Sequence, residues 1–120
     1  MKKILIIEDD QMVIRILENY FAKLEVEILL ASHADEGIQK AQANNPDLII
    51  LDMMIGNQSG LDILKEIKGS SVTASIPVVM FSAVDQEDII AQAKILGAAD
   101  YIVKGAVPLE QILKRMKKYL

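Results

Sequence analysis

DLIILDMMIGNQSG, residues 47–60, is the stretch that decides how this chain folds. Leu48, Ile49, Ile50 and Leu51 are apolar at consecutive positions, not alternate ones, which marks a strand buried on both faces. Asp52 then stands at the end of the run. A buried carboxylate is costly unless something pairs with it. What surrounds this strand, and what Asp52 meets, depends on the rest of the chain.

Working outward, similar units repeat. Ile4 to Ile7 form a first short apolar strand, and Gln11 to Leu24 switch to helical spacing with Ile14, Leu17, Phe21 and Leu24 on one face. Glu27 to Ala31 read as a second strand. Ser32 is placed to cap a helix running through Ile38 and Ala41 to Asn44-Asn45-Pro46. After the third strand, Ser59-Gly60-Leu61-Asp62 resembles a capping box, followed by Leu61, Leu64 and Ile67 at helical spacing. Pro77 to Phe81 give a fourth strand, and Asp85 precedes a helix through Ile89, Ala93 and Leu96 that Gly97 stops. Tyr101 to Val103 give a fifth strand. Pro108 suits the first turn of a last helix with Leu109, Ile112, Leu113, Met116 and Leu120 inward. Five strand–helix units with doubly buried strands predict an α/β fold: a doubly wound five-stranded parallel sheet flanked by five helices, in a single (βα)5 domain spanning residues 1–120.

Composition narrows the function. The 120 residues suit one domain, and 52% hydrophobic against 25% charged residues predicts a sizeable core. A net charge of −4 argues against direct nucleic-acid binding, which needs a basic surface. The absence of Cys removes disulfides, thiolate zinc sites and thiol nucleophiles, and suits a cytoplasmic protein. No apolar run approaches the ~20 residues of a membrane span, and MKKILIIEDD turns acidic too soon for a signal peptide.

In such sheets ligands bind beyond the C-terminal strand ends, near the point where strand order reverses. The first strand delivers Glu8, Asp9 and Asp10 there, the third Asp52, the fourth Ser82 and Ala83, and the fifth Lys104. Crowded carboxylates repel, and a divalent cation removes that conflict. An all-oxygen donor set suits Mg²⁺ (or Mn²⁺), which prefers a few carboxylates, waters and phosphoryl oxygens. Lys104 supplies a point charge for a phosphoryl oxygen or a carboxylate, and the Ser82 hydroxyl can donate to one. A carboxylate can itself be the nucleophile that becomes an acyl phosphate. Each residue alone has an ordinary explanation: acids cap helices, and a lone Ser or Lys after a strand is usually a turn hydroxyl or a solvated charge. Their coincidence at one edge points to phosphoryl transfer onto Asp.

The stretches ILIIEDD, LIILDMM, IPVVMFSA and DYIVKG, in this order and each at a strand end, resemble the receiver domain of two-component response regulators. The resemblance covers the chain from Lys3 to about Leu120. It implies a strand order of 2-1-3-4-5. It makes Asp52 the phosphoacceptor, and Glu8, Asp9, Asp52 and the Met54 backbone carbonyl the metal ligands, with Asp9 the more direct of the acidic pair. Ser82 becomes the switch hydroxyl with Ala83 beside it, Lys104 the phosphate-side lysine and Tyr101 the aromatic switch. The implied donor is a histidine kinase or histidine phosphotransfer protein. The implied output is altered partner binding through the face of the fourth helix, fifth strand and fifth helix, with homodimerisation on phosphorylation in many relatives. On this reading the chain is a phosphoprotein of a phosphorelay, not an enzyme: its only chemistry is autophosphorylation and autodephosphorylation. Its output partner is unknown, and no membrane or nucleic acid is expected as partner. It either stands alone or belongs to a larger regulator or hybrid kinase.

Two positions depart from the pattern. Gly56 and Gly105 stand where the family usually has Pro, and a trans Lys104–Gly105 bond is expected, since cis costs ~3 kcal/mol before a non-proline. These departures keep a second reading open, a degenerate receiver that acts as a scaffold without phosphorylation. A flavin- or nucleotide-binding module on the same fold fits less well, because three acids stand where a phosphate-cradling loop belongs. Met54 and Val84 occupy the positions that influence phosphate lifetime in the family. Neither can orient water, so a persistent phosphoryl group is expected. Met12 and Val13 are candidates for a docking patch. His33 reads as a helix-start residue, and the basic run Lys114, Arg115, Lys117, Lys118 as the complement of its own helix end.

Overall fold

A computed structural model describes residues 1–120. The chain runs β1 (Lys2–Ile7), α1 (Gln11–Phe21), β2 (Val26–Ala31), α2 (Ala34–Asn44), β3 (Leu48–Leu51), β4 (Met54–Ile55), β5 (Gln58–Ser59), α3 (Gly60–Gly69), β6 (Val78–Ser82), α4 (Glu87–Ile95), β7 (Asp100–Val103) and α5 (Leu109–Lys117). The main sheet is parallel throughout, in the order β2-β1-β3-β6-β7, with Ile6 opposite Ile50 and Ile50 opposite Val79 at its centre. Counting only these strands, the order is the expected 2-1-3-4-5. Strand order reverses between β1 and β3, so the edge beyond Ile7 and Leu51 is where a site belongs.

The doubly apolar strands fill two cores. Leu5, Ile7, Ile49, Leu51, Val78 and Met80 face α2, α3 and α4 through Ala34, Ala41, Ile63, Leu64, Ile67 and Ala93. Ile4, Ile6, Leu48, Ile50, Val79, Phe81 and Ile102 face α1 and α5 through Leu17, Phe21, Ile112, Leu113 and Met116. Adjacent strand residues go to opposite faces, which is why consecutive Ile and Leu are all buried.

Some boundaries differ from the sequence reading. α1 closes at Phe21, not Leu24, because Lys23 and Leu24 donate to Tyr20 and Phe21, tightening the last turn to i→i+3 bonds. His33, not Ser32, occupies the N-cap position of α2; the Ser32 hydroxyl meets His33 Nδ1 at 2.8 Å, and the Ser32 amide donates to Glu36 Oε1. Pro108 stands one residue before the first turn of α5, where its carbonyl accepts from Ile112. Ser59 caps α3 as expected, accepting from the Leu61 amide at 3.2 Å. The loop after β3 also contains a two-stranded antiparallel ladder, Met54 opposite Ser59 and Ile55 opposite Gln58, beyond the five strands read from the sequence. No helix is long and apolar enough to cross a membrane.

Candidate functional site

The site is held by backbone contacts between strand ends. The Asp52 amide donates to the Ile7 carbonyl at 3.3 Å, the Glu8 amide to Ala31 at 3.0 Å, and the Lys104 amide to Ser82 at 2.8 Å. These bonds continue the sheet ladder one residue past each strand and gather the polar residues at one edge. Glu8, Asp9 and Asp52 come together there, with one carboxylate oxygen from each lying within 4.8 Å of the others.

Lys104 bridges two of them. Its Nζ donates to Glu8 Oε1 at 2.8 Å and to Asp52 Oδ2 at 3.2 Å, and lies 5.4 Å from the centre of the Phe81 ring. The lysine expected beside Asp52 is therefore there, but Glu8 is its closer partner. The second Glu8 oxygen accepts from the Asp9 and Asp10 amides at 3.1 and 3.2 Å. Burial pushes the Glu8 carboxyl up to about 7, and the Asp52 charge adds to it, while the Lys104 hydrogen bond pulls the other way. Burial also opposes the Lys104 charge, but Glu8 and Asp52 outweigh it and hold its pKa above the ordinary lysine value.

The other acids have separate tasks. Asp10 caps α1 through the Met12 amide at 2.9 Å. Asp9 is exposed, and its Oδ2 accepts from the Gly56 amide at 2.8 Å. Asp52 Oδ1 accepts from the Met53 amide at 2.7 Å, and the Asp52 side chain keeps 12% of its surface open. An all-oxygen set of three carboxylates with solvent access fits Mg²⁺ or Mn²⁺, with Glu8, Asp9 and Asp52 as holders. Met54 opens the short ladder, its side chain exposed.

Ser82 is buried at the end of β6 and its Oγ accepts from the Val84 amide at 3.2 Å; Ala83 beside it is exposed. Tyr101 is buried too, its hydroxyl donating to the Val84 carbonyl at 2.8 Å, and burial raises its pKa. Both side chains thus converge on Val84. The Tyr101 ring is turned inward. Arg115 fastens α5 to this strand by a bidentate pair with Asp100, at 2.9 and 2.6 Å.

Both glycine departures have a geometric cause. Gly56 and Asn57 are the two-residue loop between Ile55 and Gln58, and Gly56 has φ +61°. Gly at the first loop position with positive φ, followed by a residue without it, is the type II′ hairpin turn. Gly105 has φ +82° in a turn closed by the Ala106 amide on the Val103 carbonyl at 3.3 Å, as the third residue of a type II turn does. Proline, fixed near −65°, fits neither dihedral. There is no cis peptide bond, so Lys104–Gly105 is trans as expected.

Sequence reasoning missed Gly60. A Cβ there would overlap the Asp52 carbonyl oxygen and lie 2.7 Å from Met53 Cα, and the Gly60 amide donates to the Met53 carbonyl at 2.6 Å. The start of α3 thus packs directly on the backbone that carries Asp52. A glycine straight after a capping serine was the available signal. The hairpin was signalled as well, by Gly-Asn between short runs.

The family model for the response regulator receiver domain matches residues 4–117. The chain is 35% identical over 121 residues to the response regulator ArlR of Staphylococcus saprophyticus, covering 100% of this chain and 53% of the relative. It is 30% identical over 109 residues to the alkaline phosphatase synthesis transcriptional regulatory protein PhoP of Bacillus subtilis, covering 91% and 45%. It thus spans about half the length of these two relatives. Among solved structures, the phosphorylated cyanobacterial phytochrome response regulator RcpA superposes with a TM-score of 0.83 at 31% identity, covering 98% of this chain and 89% of that one.

Proposed function

This chain belongs to the response regulator receiver domain family, and from that premise we propose that it is a phosphoacceptor switch which takes a phosphoryl group onto Asp52 from a histidine kinase or histidine phosphotransfer protein. The observation that carries the proposal is the completeness of the edge. Glu8, Asp9 and Asp52 converge within 4.8 Å, with Lys104 bonded to two of them and Ser82 at the end of the adjoining strand. A degenerate scaffold has no use for this arrangement, which is expensive to maintain through burial and like-charge crowding.

In the transfer, an Asp52 carboxylate oxygen attacks phosphorus, the bond to the donor nitrogen breaks and the acyl phosphate forms. Glu8, Asp9, Asp52 and the Met54 carbonyl would hold Mg²⁺, whose charge would neutralise the phosphoryl oxygens when it is bound. Lys104 gives up Asp52 Oδ2 to hold a phosphoryl oxygen and remains anchored on Glu8, so its charge stays in place through the change. Ser82 exchanges its contact with the Val84 amide for a phosphoryl oxygen. Tyr101, already inward on the Val84 carbonyl, is stabilised there, so phosphorylation shifts a population toward a conformation the chain can already adopt. The change reaches partners through the face of α4, β7 and α5, which carries exposed Ile95 on α4 and the Asp100–Arg115 clamp. The chemistry is self-modification without turnover of a separate substrate, and its setting is the cytoplasm.

The test is treatment with acetyl phosphate and Mg²⁺, followed by intact-mass measurement. A phosphate mass gain is expected in the wild type and lost in Asp52→Ala. A mass gain that persists in Asp52→Ala refutes Asp52 as the acceptor.

A further inference from the structure

We propose that Gly56 is a positioning residue for Asp9: a left-handed hairpin turn delivers the Gly56 amide to Asp9 Oδ2 and fixes that carboxylate for the divalent cation. This rests on the reading of Asp9 as a metal ligand and adds to it a structural element that a proline at this position excludes. The contact joins residues 47 apart in sequence at 2.8 Å. A Cβ on Gly56 would meet nothing within 4 Å, so space does not demand glycine here; the φ of +61° does.

The sequence of causes is short. Gly56 allows the type II′ turn, the pairing of Met54–Ile55 with Gln58–Ser59 holds the turn, and Ser59 and Gly60 root the ladder in α3 on the Asp52 backbone. The amide at its tip is therefore fixed relative to Asp52. Asp9, by contrast, is an exposed side chain on the loop after β1. Free, it spreads over several rotamers, and cation binding must collapse them. A backbone N–H on an ordered turn gives a charge-assisted hydrogen bond without rotamer entropy of its own. It occupies one lone pair of Oδ2, leaving Oδ1 for the cation. This is how outer partners of metal-binding carboxylates raise affinity. Proline at 56 removes donor and dihedral together; asparagine keeps the N–H and is, after glycine, one of the few residues found in mirror-image turns.

The experiment is a Mg²⁺ titration of the full chain followed by ¹⁵N–¹H NMR, with urea midpoints recorded for every variant. Gly56→Pro is expected to weaken Mg²⁺ binding roughly tenfold, the lower end for an outer partner because Asp9 is exposed. Gly56→Asn, which keeps the amide donor, is expected to lose less than Gly56→Pro. In an Asp9→Ala background the effect of Gly56→Pro should disappear. The Gly56 amide resonance, read in wild type without any change at Gly56, should move on Asp9→Ala. Wild-type affinity in Gly56→Pro, a Gly56→Asn as weak as Gly56→Pro, a loss that persists beside Asp9→Ala, or an unmoved Gly56 resonance each overturns the proposal. A wild type that binds no Mg²⁺, or an Asp9→Ala variant that binds it undiminished, instead overturns the underlying reading of Asp9.

Discussion

Replacing Lys104 by Met in the metal-free protein should cost stability that grows with pH. The Lys104 ammonium lies 2.8 Å from Glu8 and 3.2 Å from Asp52. At an effective dielectric near 20 these attractions are about 6 and about 5 kcal/mol, but desolvation offsets most of each. What survives is about 1.5–3 kcal/mol per charged hydrogen bond. Glu8 sets the pH dependence. Its folded pKa stands at about 7 against a reference of 4.5. Between those values the native state binds more protons than the unfolded one, so wild-type stability falls as pH rises through that window, by about 3 kcal/mol in all. Without Lys104, Glu8 loses the partner that holds its pKa down, and the falling window extends above 7. At pH 5, where Glu8 carries its proton, the variant forfeits mainly the Asp52 contact, about 2 kcal/mol. At pH 8.5 it forfeits both, about 4 kcal/mol. With no Trp in the chain, far-ultraviolet circular dichroism in urea with EDTA is the readout. A difference between the proteins that is flat across pH 5–8.5, or that shrinks toward 8.5, refutes this account of the Glu8–Lys104–Asp52 cluster.

Other consequences can be measured alongside. Gly60→Ala sets a methyl against backbone atoms that cannot swing aside, so it should lose about 3 kcal/mol in urea denaturation and weaken BeF₃⁻ binding by displacing Asp52. The Asp100 pKa is lowered: burial opposes this, but the Arg115 hydrogen bond, the Tyr101 amide and the charges of Arg115 and Lys94 together outweigh it. A lowered acid stabilises above its unfolded value and loses that contribution as pH falls below it. Arg115→Ala should therefore cost about 1 kcal/mol at neutral pH, a modest value because Arg115 is part-exposed, and progressively less below about pH 4 in acid titrations of stability. Changing Met54→Asn together with Val84→Glu should speed phosphate loss from Asp52, timed by mass spectrometry. An unchanged lifetime would show that neither side chain governs the attack of water.

Much of the fold was legible in LIIL and its counterparts. A short apolar run without alternation, bounded by turn residues and followed each time by helical spacing, reads as a strand covered on both sides, and that implies parallel pairing, helical crossovers and the edge where Asp52 lies. The residue types at the other strand ends were legible for the same reason, since each polar residue follows directly on a buried strand. Contacts between those ends were not. That Lys104 sits closer to Glu8 than to Asp52, that Asp9 leans on Gly56, and that Tyr101 is inward depend on side-chain angles and turn dihedrals, which a linear pattern does not carry. Gly56 shows the difference most clearly. In sequence it was an absent proline; in the folded chain its φ of +61° is what turns DLIILDMMIGNQSG back on itself and aims an amide at Asp9. Hydrophobic burial depends on which residues are apolar and in what order, so the sequence determined the sheet and its edge. The site's hydrogen bonds depend on positions to within a few tenths of an ångström, and those were decided only when residues 47 and 96 apart in sequence were brought together.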